Sequence, residues 1–222
     1  MTMIKERTPP VAASGPTINQ PVVALKRRTI DSILTASGAV LTVALVGAGS
    51  LLTWGANFSA NYVADELTSQ NIAFPPAAAL EEEGRTDLLR FAGQDVNTGN
   101  EAEAYASYID GHLQGIADGA TFADLGTPER EAKVAVEAAV ASGTDEATVA
   151  ELQGRADAIS GQRNTLFKGE TLRGLLLSAY AWATVGTIAG YAATAAFVAG
   201  GVMLFLVILG LRHHRKLVVQ QS

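Results

Sequence analysis

This 222-residue chain carries three histidines and no cysteine, which leaves little material for soft-metal, redox or thiol chemistry. His213 and His214 lie in the run "RHHRK" at 212–216, and their basic neighbours make them interfacial residues at a helix terminus rather than ligands. His112 follows Ile109 by three positions and so borders an apolar helical stripe. No second His or Cys is within reach along that helix, which makes it a structural histidine. Three acidic groups could bind a cation or share a proton: Glu81 to Glu83, Glu101 with Glu103, and Asp145 beside Glu146. None has calcium-loop spacing, and solvated helix faces and helix N-termini account for them all. No nucleophile elbow, paired-histidine zinc helix, phosphate-binding loop or dinucleotide-binding glycine pattern occurs in a suitable context. Asn57-Phe58-Ser59 matches an N-glycosylation triplet, but at a membrane boundary. The missing cysteines exclude a lipoprotein anchor, a thioether-linked haem, a cysteine-ligated iron–sulfur cluster and any disulfide. The sequence thus predicts no catalytic residue, no cofactor and no metal.

The elements that must hold these residues are read from hydropathy. The chain is 48% hydrophobic with a mean hydropathy of +0.20, and the apolar excess is concentrated in two uncharged runs, residues 33–54 and 174–211. The first is long enough to cross a bilayer. The second would extend about 57 Å as a helix at roughly 1.5 Å per residue, whereas the hydrocarbon core needs only about 20 residues. Lys26, Arg27 and Arg28 before the first run would also suit a secretory leader, but its 22 residues exceed a leader's apolar stretch and no cleavage site follows. Neither run holds an ionisable side chain of the kind that lines ion pathways or proton relays.

Charge sets the expected topology. Basic residues flank both runs on the terminal sides, Lys26, Arg27 and Arg28 before the first and Arg212, Arg215 and Lys216 after the second, which places both termini in the cytoplasm. Residues 57–173 hold 20 Asp and Glu against 8 Lys and Arg, a net −12 within an overall charge of −6. This segment is expected outside a plasma (inner) membrane. Its acidity excludes a nucleic-acid surface, while the basic ends suit anionic membrane lipids.

Within the acidic segment helix starts are legible. "TGNE" from Thr98 fits a capping box, followed at helical spacing by Ala102, Tyr105, Ile109, Leu113 and Ile116. "TPER" places Thr127 as a cap with Pro128 at the first helical position, leading into Val134 and Val140. "TDEA" from Thr144 precedes Val149, Leu152 and Ile159 on one face. Breaks are expected at "GTP", "SGTDE" and "SGQRN", and Pro75-Pro76 must end any helix descending from the first span.

The second run offers contact surface. Gly186 and Gly190 form a GxxxG pair extended by Thr194, and Ala192, Ala196 and Gly200 form a second small-residue line. These lines suit either a partner helix or the first span, through Ala44, Ala48 and Gly49. Tyr180 and Trp182, with Trp54 on the first span, suit the membrane interface. A helix starting near Thr171 would then raise Leu175, Leu176 and Leu177 above the lipid, pointing to successive directions, so that they cannot all face one neighbour.

The stretches "RFAGQDVNTGNEAEAYASYIDGHLQGIADG" and "GETLRGLLLSAYAW" resemble a family of two-span actinobacterial membrane proteins with a helical extracytoplasmic domain, the likeness covering most of residues 33–212. Within that family the chain is similar to accessory subunits of Mce-type lipid importers, which implies an integral membrane protein complex as partner and adds no catalytic residues. The expected fold is all-α, with two transmembrane helices and a small helical extracytoplasmic domain inserted between them. The expected divisions are a cytoplasmic tail at 1–29, a span at 30–56, the outer domain at 57–173, a long helix including the second span at 174–211, and a cytoplasmic tail at 212–222. Two other functions fit the same organisation: an accessory subunit of a respiratory supercomplex, and an envelope enzyme or ligand sensor with a pocket in the outer helices.

Overall fold

The computed structural model describes the backbone of residues 21–219 and the side chains of residues 29–212. It is all-helical. Helix α1 spans Pro21–Thr68, α2 Ala77–Glu82, α3 Gly99–Gln114, α4 Gly126–Ala141 and α5 Glu146–Val219, with 3-10 helices at Thr86–Phe91 and Ala117–Gly119. Helices α1 and α5 are each long and apolar enough to cross a membrane, in keeping with a membrane protein. The chain divides into two compact units, one made of residues up to Gly47 with those from Phe197 onward, the other of Ala48–Ala196.

In the larger unit, α1 stops at Thr68 before Pro75-Pro76, as expected from the extended geometry that proline imposes on preceding residues. Asn71 turns the chain with a φ of 49°, and residues 72–74 then run beside 94–96. Val96 N–H donates to the Ile72 carbonyl at 2.8 Å and Phe74 N–H to the Gln94 carbonyl at 2.9 Å. This clasp buries Phe74 and Val96 with Leu80, Leu88 and Phe91 in one core, which also takes in Val63 and Leu67 of α1 and Leu176 of α5. Phe74 stacks on Phe91 and meets the edge of Tyr105, each at a centroid distance of 5.2 Å.

Helix α3 begins with the expected capping box: Thr98 Oγ1 accepts from Glu101 N–H, and Glu101 Oε2 accepts from Thr98 N–H at 2.8 Å. Gly99 follows because nothing larger fits, since a Cβ there would overlap that of Ala183. At the other end of α3, Leu113 occupies the space of the missing Gly169 side chain. The two glycines fix α3 antiparallel to α5, with Gly99 level with Ala183 and Leu113 level with Gly169.

Three sequence expectations are corrected. Helix α4 starts at Gly126, not at a Thr127 cap. A turn in which Thr121 and Asp124 exchange hydrogen bonds precedes it, and Thr127 Oγ1 instead accepts from Arg130. Val134 and Val140 are exposed, and Ala139 is the buried member of α4. The break expected at "SGQRN" is absent: α5 begins at Glu146, where Asp145 Oδ1 accepts Thr148 N–H, and continues past 160–164 and past Thr171. Contacts to α4 hold this stretch helical against the cost of Gly161 of about 1 kcal/mol. Ser160 Oγ donates to Glu129 at 2.8 Å and Arg163 to the same carboxylate at 2.7 Å.

Candidate partner interface

The contact surface is built on a seam between α1 and α5. Inward positions on α5 step by three and four residues alternately through Leu176, Ala183, Gly186, Gly190 and Ala193, and on α1 through Gly49, Ala56, Ser59 and Val63. This alternation averages 3.5 residues, the repeat that keeps one stripe facing a partner helix. In the larger unit Gly186 lies against Ser59 and Gly190 against Ala56. Ser59 is buried, and its Oγ donates to the Trp182 carbonyl at 2.6 Å, an approach possible because Gly186 has no side chain. In the smaller unit Gly200 packs on Leu45 and Val46, Gly210 on Thr35, and Gly38 on Val207 and Met203. Thr35, Thr42 and Thr53 turn their hydroxyls back onto carbonyls four residues earlier, leaving no donor for apolar surroundings to penalise.

The small-residue lines are therefore partly redrawn. Gly186, Gly190 and Gly200 meet α1 and Ala196 is half-buried, but Thr194 and Ala192 are exposed, and Thr194 Oγ1 donates within its own helix to the Gly190 carbonyl. A strict four-residue step rotates about 40° per repeat on a 3.6-residue helix, so the GxxxG line drifts off the seam by its third member. On the first span Gly49 is buried, whereas Ala44 and Ala48 are exposed. Ala193, 3% exposed, was missed. The alternation of three- and four-residue steps was the signal that would have found it.

Leu175, Leu176 and Leu177 separate as their geometry requires, with exposures of 66%, 2% and 38%. Leu176 enters the core with Phe74 and Leu80, while Leu175 points away from it. Trp54 and Trp182 are exposed and Tyr180 half-buried. Trp54 heads a ladder in which it stacks on Phe58 at 5.7 Å and Phe58 on Tyr62 at 6.1 Å, a pattern the sequence reading passed over although its four-residue spacing was visible. Arg212 is exposed; Lys26, Arg27, Arg28, Arg215, Lys216, His213 and His214 lie outside the residues whose side chains are described.

Several polar groups are committed to structure. His112 is exposed, its Nε2 3.8 Å from Glu83 Oε1, and Glu83 also accepts from the Tyr108 hydroxyl. Burial pushes the Tyr108 phenol up, helped by Glu83. Arg85 grips Asp87 with two hydrogen bonds and Ser107 with two more. The Arg85 hydrogen bond holds the Asp87 carboxyl below its usual range. Glu129 accepts from Lys133, Ser160 and Arg163, which lower its pKa to about 2. Arg163 also lies over the Phe122 ring at 3.9 Å, completing the clasp between α4 and α5. An open groove of about 630 Å³ runs between the Thr86–Phe91 helix and α3, lined by Arg90, Glu103, Asn100 and Gln94 over Phe91 and Leu88. His112 does not line it. Among the described residues no three His, Asp or Glu side chains converge as a metal site.

Compared with protein-family models, characterised proteins and solved structures, the chain matches none.

Proposed function

We propose that this chain is a non-catalytic accessory subunit of a larger membrane complex, held in the plasma membrane by α1 and α5 with both termini cytoplasmic and its short helices outside. One observation carries the reading. Leu175 stands 66% exposed on α5, eight residues and so about 12 Å beyond the level at which the N-terminus of α3 meets Ala183. Acyl chains do not reach past the charged start of α3, and leaving a leucine wet forfeits roughly 1.5 to 3 kcal/mol. A protein partner accounts for it.

The resemblance of most of residues 33–212 to two-span actinobacterial membrane proteins, and within that family to accessory subunits of lipid importers, suggests the kind of complex, an Mce-type importer whose assembly this subunit stabilises or regulates. The outer groove is the observation that favours the other class, a ligand sensor or envelope enzyme. Its Asp87 and Ser107 are both occupied by Arg85, which favours the subunit reading. The test is to tag the C-terminus, purify from native membranes in mild detergent and identify what accompanies the chain. Importer permease and substrate-binding subunits in fixed ratio are expected. Respiratory complex subunits instead would replace the importer with the respiratory assignment, and a chain that purifies alone would overturn the subunit reading.

A further inference from the structure

Three levels along α5 set its depth in a bilayer, given the membrane-spanning reading on which this inference rests. The first is Arg212, where the uncharged run ends. The second is Tyr191, an exposed ring 21 residues earlier. At roughly 1.5 Å per residue that separation is about 31 Å, the thickness of a hydrocarbon core. The third is Ala183, 29 residues before Arg212, where Gly99 brings in the start of α3. Glu101 and exposed Glu103 arrive with it, and carboxylates do not enter hydrocarbon unpaired. The corresponding length of about 43 Å passes through the core and one headgroup layer of about 5 to 7 Å, half of what headgroups add to a bilayer of about 40 to 45 Å, and ends in water. The interval from Tyr191 to Ala183, about 12 Å, thus spans one headgroup layer and the water just above it.

Helix α1 fills the same interval with rings. Its contacts place Ala56 beside Gly190 and Ser59 beside Gly186, so the antiparallel register puts Trp54 level with Tyr191 and Tyr62 level with Ala183. Trp54, Phe58 and Tyr62 are all exposed and stacked in sequence, with exposed Asn57 and Asn61 between them. Exposed Trp182 lies at the upper level. Amphipathic rings and amides suit a layer of phosphate and ester groups above acyl chains, and suit neither hydrocarbon nor bulk water.

We propose that Trp54, Phe58 and Tyr62, with Tyr191 and Trp182, form a collar that binds the phospholipid headgroup layer of one leaflet, Trp54 and Tyr191 at the acyl-chain boundary and Tyr62 and Trp182 at the water boundary. The collar seats the start of α3 on the membrane surface and fixes the height at which Leu175 is presented. The membrane boundary expected at Trp182 from sequence moves to the hydrocarbon edge nine residues further along α5, and Trp182 stands at the water side of the headgroups.

Trp54 and Trp182 are the two tryptophans of the chain, so Trp182→Phe and Trp54→Phe each leave a single emitter. Each full-length variant is reconstituted in phosphatidylglycerol–phosphatidylethanolamine vesicles containing lipids with a nitroxide either on the headgroup or shallow on the acyl chain. Expected is quenching of Trp54 by the shallow acyl label, and loss of that quenching for Trp182, which responds instead to the headgroup label and to aqueous acrylamide. If the shallow acyl label quenches both tryptophans equally, the collar is misplaced while the spanning reading stands. If neither responds to any lipid label, both fail. If only Trp54 responds to lipid and Trp182 is shielded from acrylamide as well, a protein covers the upper edge and the lipid collar is overturned.

Discussion

Ser59 and Gly186 form a close contact between the two long helices, a hydroxyl donating to the Trp182 carbonyl across a missing side chain. Gly186→Leu drives its side chain into Ser59 and separates α1 from α5, with an expected loss of roughly 1 kcal/mol for a membrane helix contact. Gly201→Leu is the control, because a Cβ there meets nothing within 4 Å. Thermal stability in detergent should fall for the first variant and stay at the parent value for the second. The same logic applies to Gly99, where alanine would overlap Ala183. Overpacking there should cost roughly 1 to 3 kcal/mol, read as lost hydrogen-exchange protection across α3. The Gly186–Gly190 contacts were legible because small residues at helical spacing have few other uses in apolar helices. Ala193 was not, because an alanine in an alanine-rich helix is distinguished only by the seam's phase. Thr194 lies off the seam, its hydroxyl satisfied within its own helix, which looks the same in sequence as one offered to a neighbour.

At the scale of elements, α4 is held to α5 by Glu129, whose carboxylate takes Ser160 and Arg163 of α5 together with Lys133 of its own helix. The folded pKa of Glu129 is depressed from 4.5 to about 2. The stabilisation is therefore fully present above about pH 4.5 and is lost as pH falls toward 2. Amide exchange in α4 should rise over that window, and Glu129→Gln should show the faster exchange already at neutral pH while losing the pH dependence. Unchanged exchange in the variant would remove the clasp from the account. This clasp also explains the corrected break at residues 160–164. Ser160 and Gly161 read locally as a loop, whereas in the fold the carboxylate of a distant helix bonds to Ser160 and Arg163 of a continuous helix. By contrast the start of α3 was legible because a capping box is a local device, complete within Thr98–Glu101.

At the scale of the molecule, the all-helical class and two apolar helices were legible because the uncharged runs are too long for anything else. The 74-residue extent of α5 was not, since helix length past the apolar run depends on tertiary contacts. The proposed topology predicts that a protease outside the membrane cuts near Glu81–Glu83 and spares both termini; labelling of either terminus from outside would contradict it. The central claim, a protein partner docked above the lipid on the outward face of α5, rests on the unequal fates of Leu175 and Leu176. Leu176→Glu puts a charge into the core and should loosen the short helices. Leu175→Glu leaves that core intact. The decisive measurement is the amount of partner recovered with the tagged chain for the parent and for Leu175→Glu, both inserted and equally stable. The account predicts that the partner is lost from Leu175→Glu, and recovery equal to the parent would contradict it.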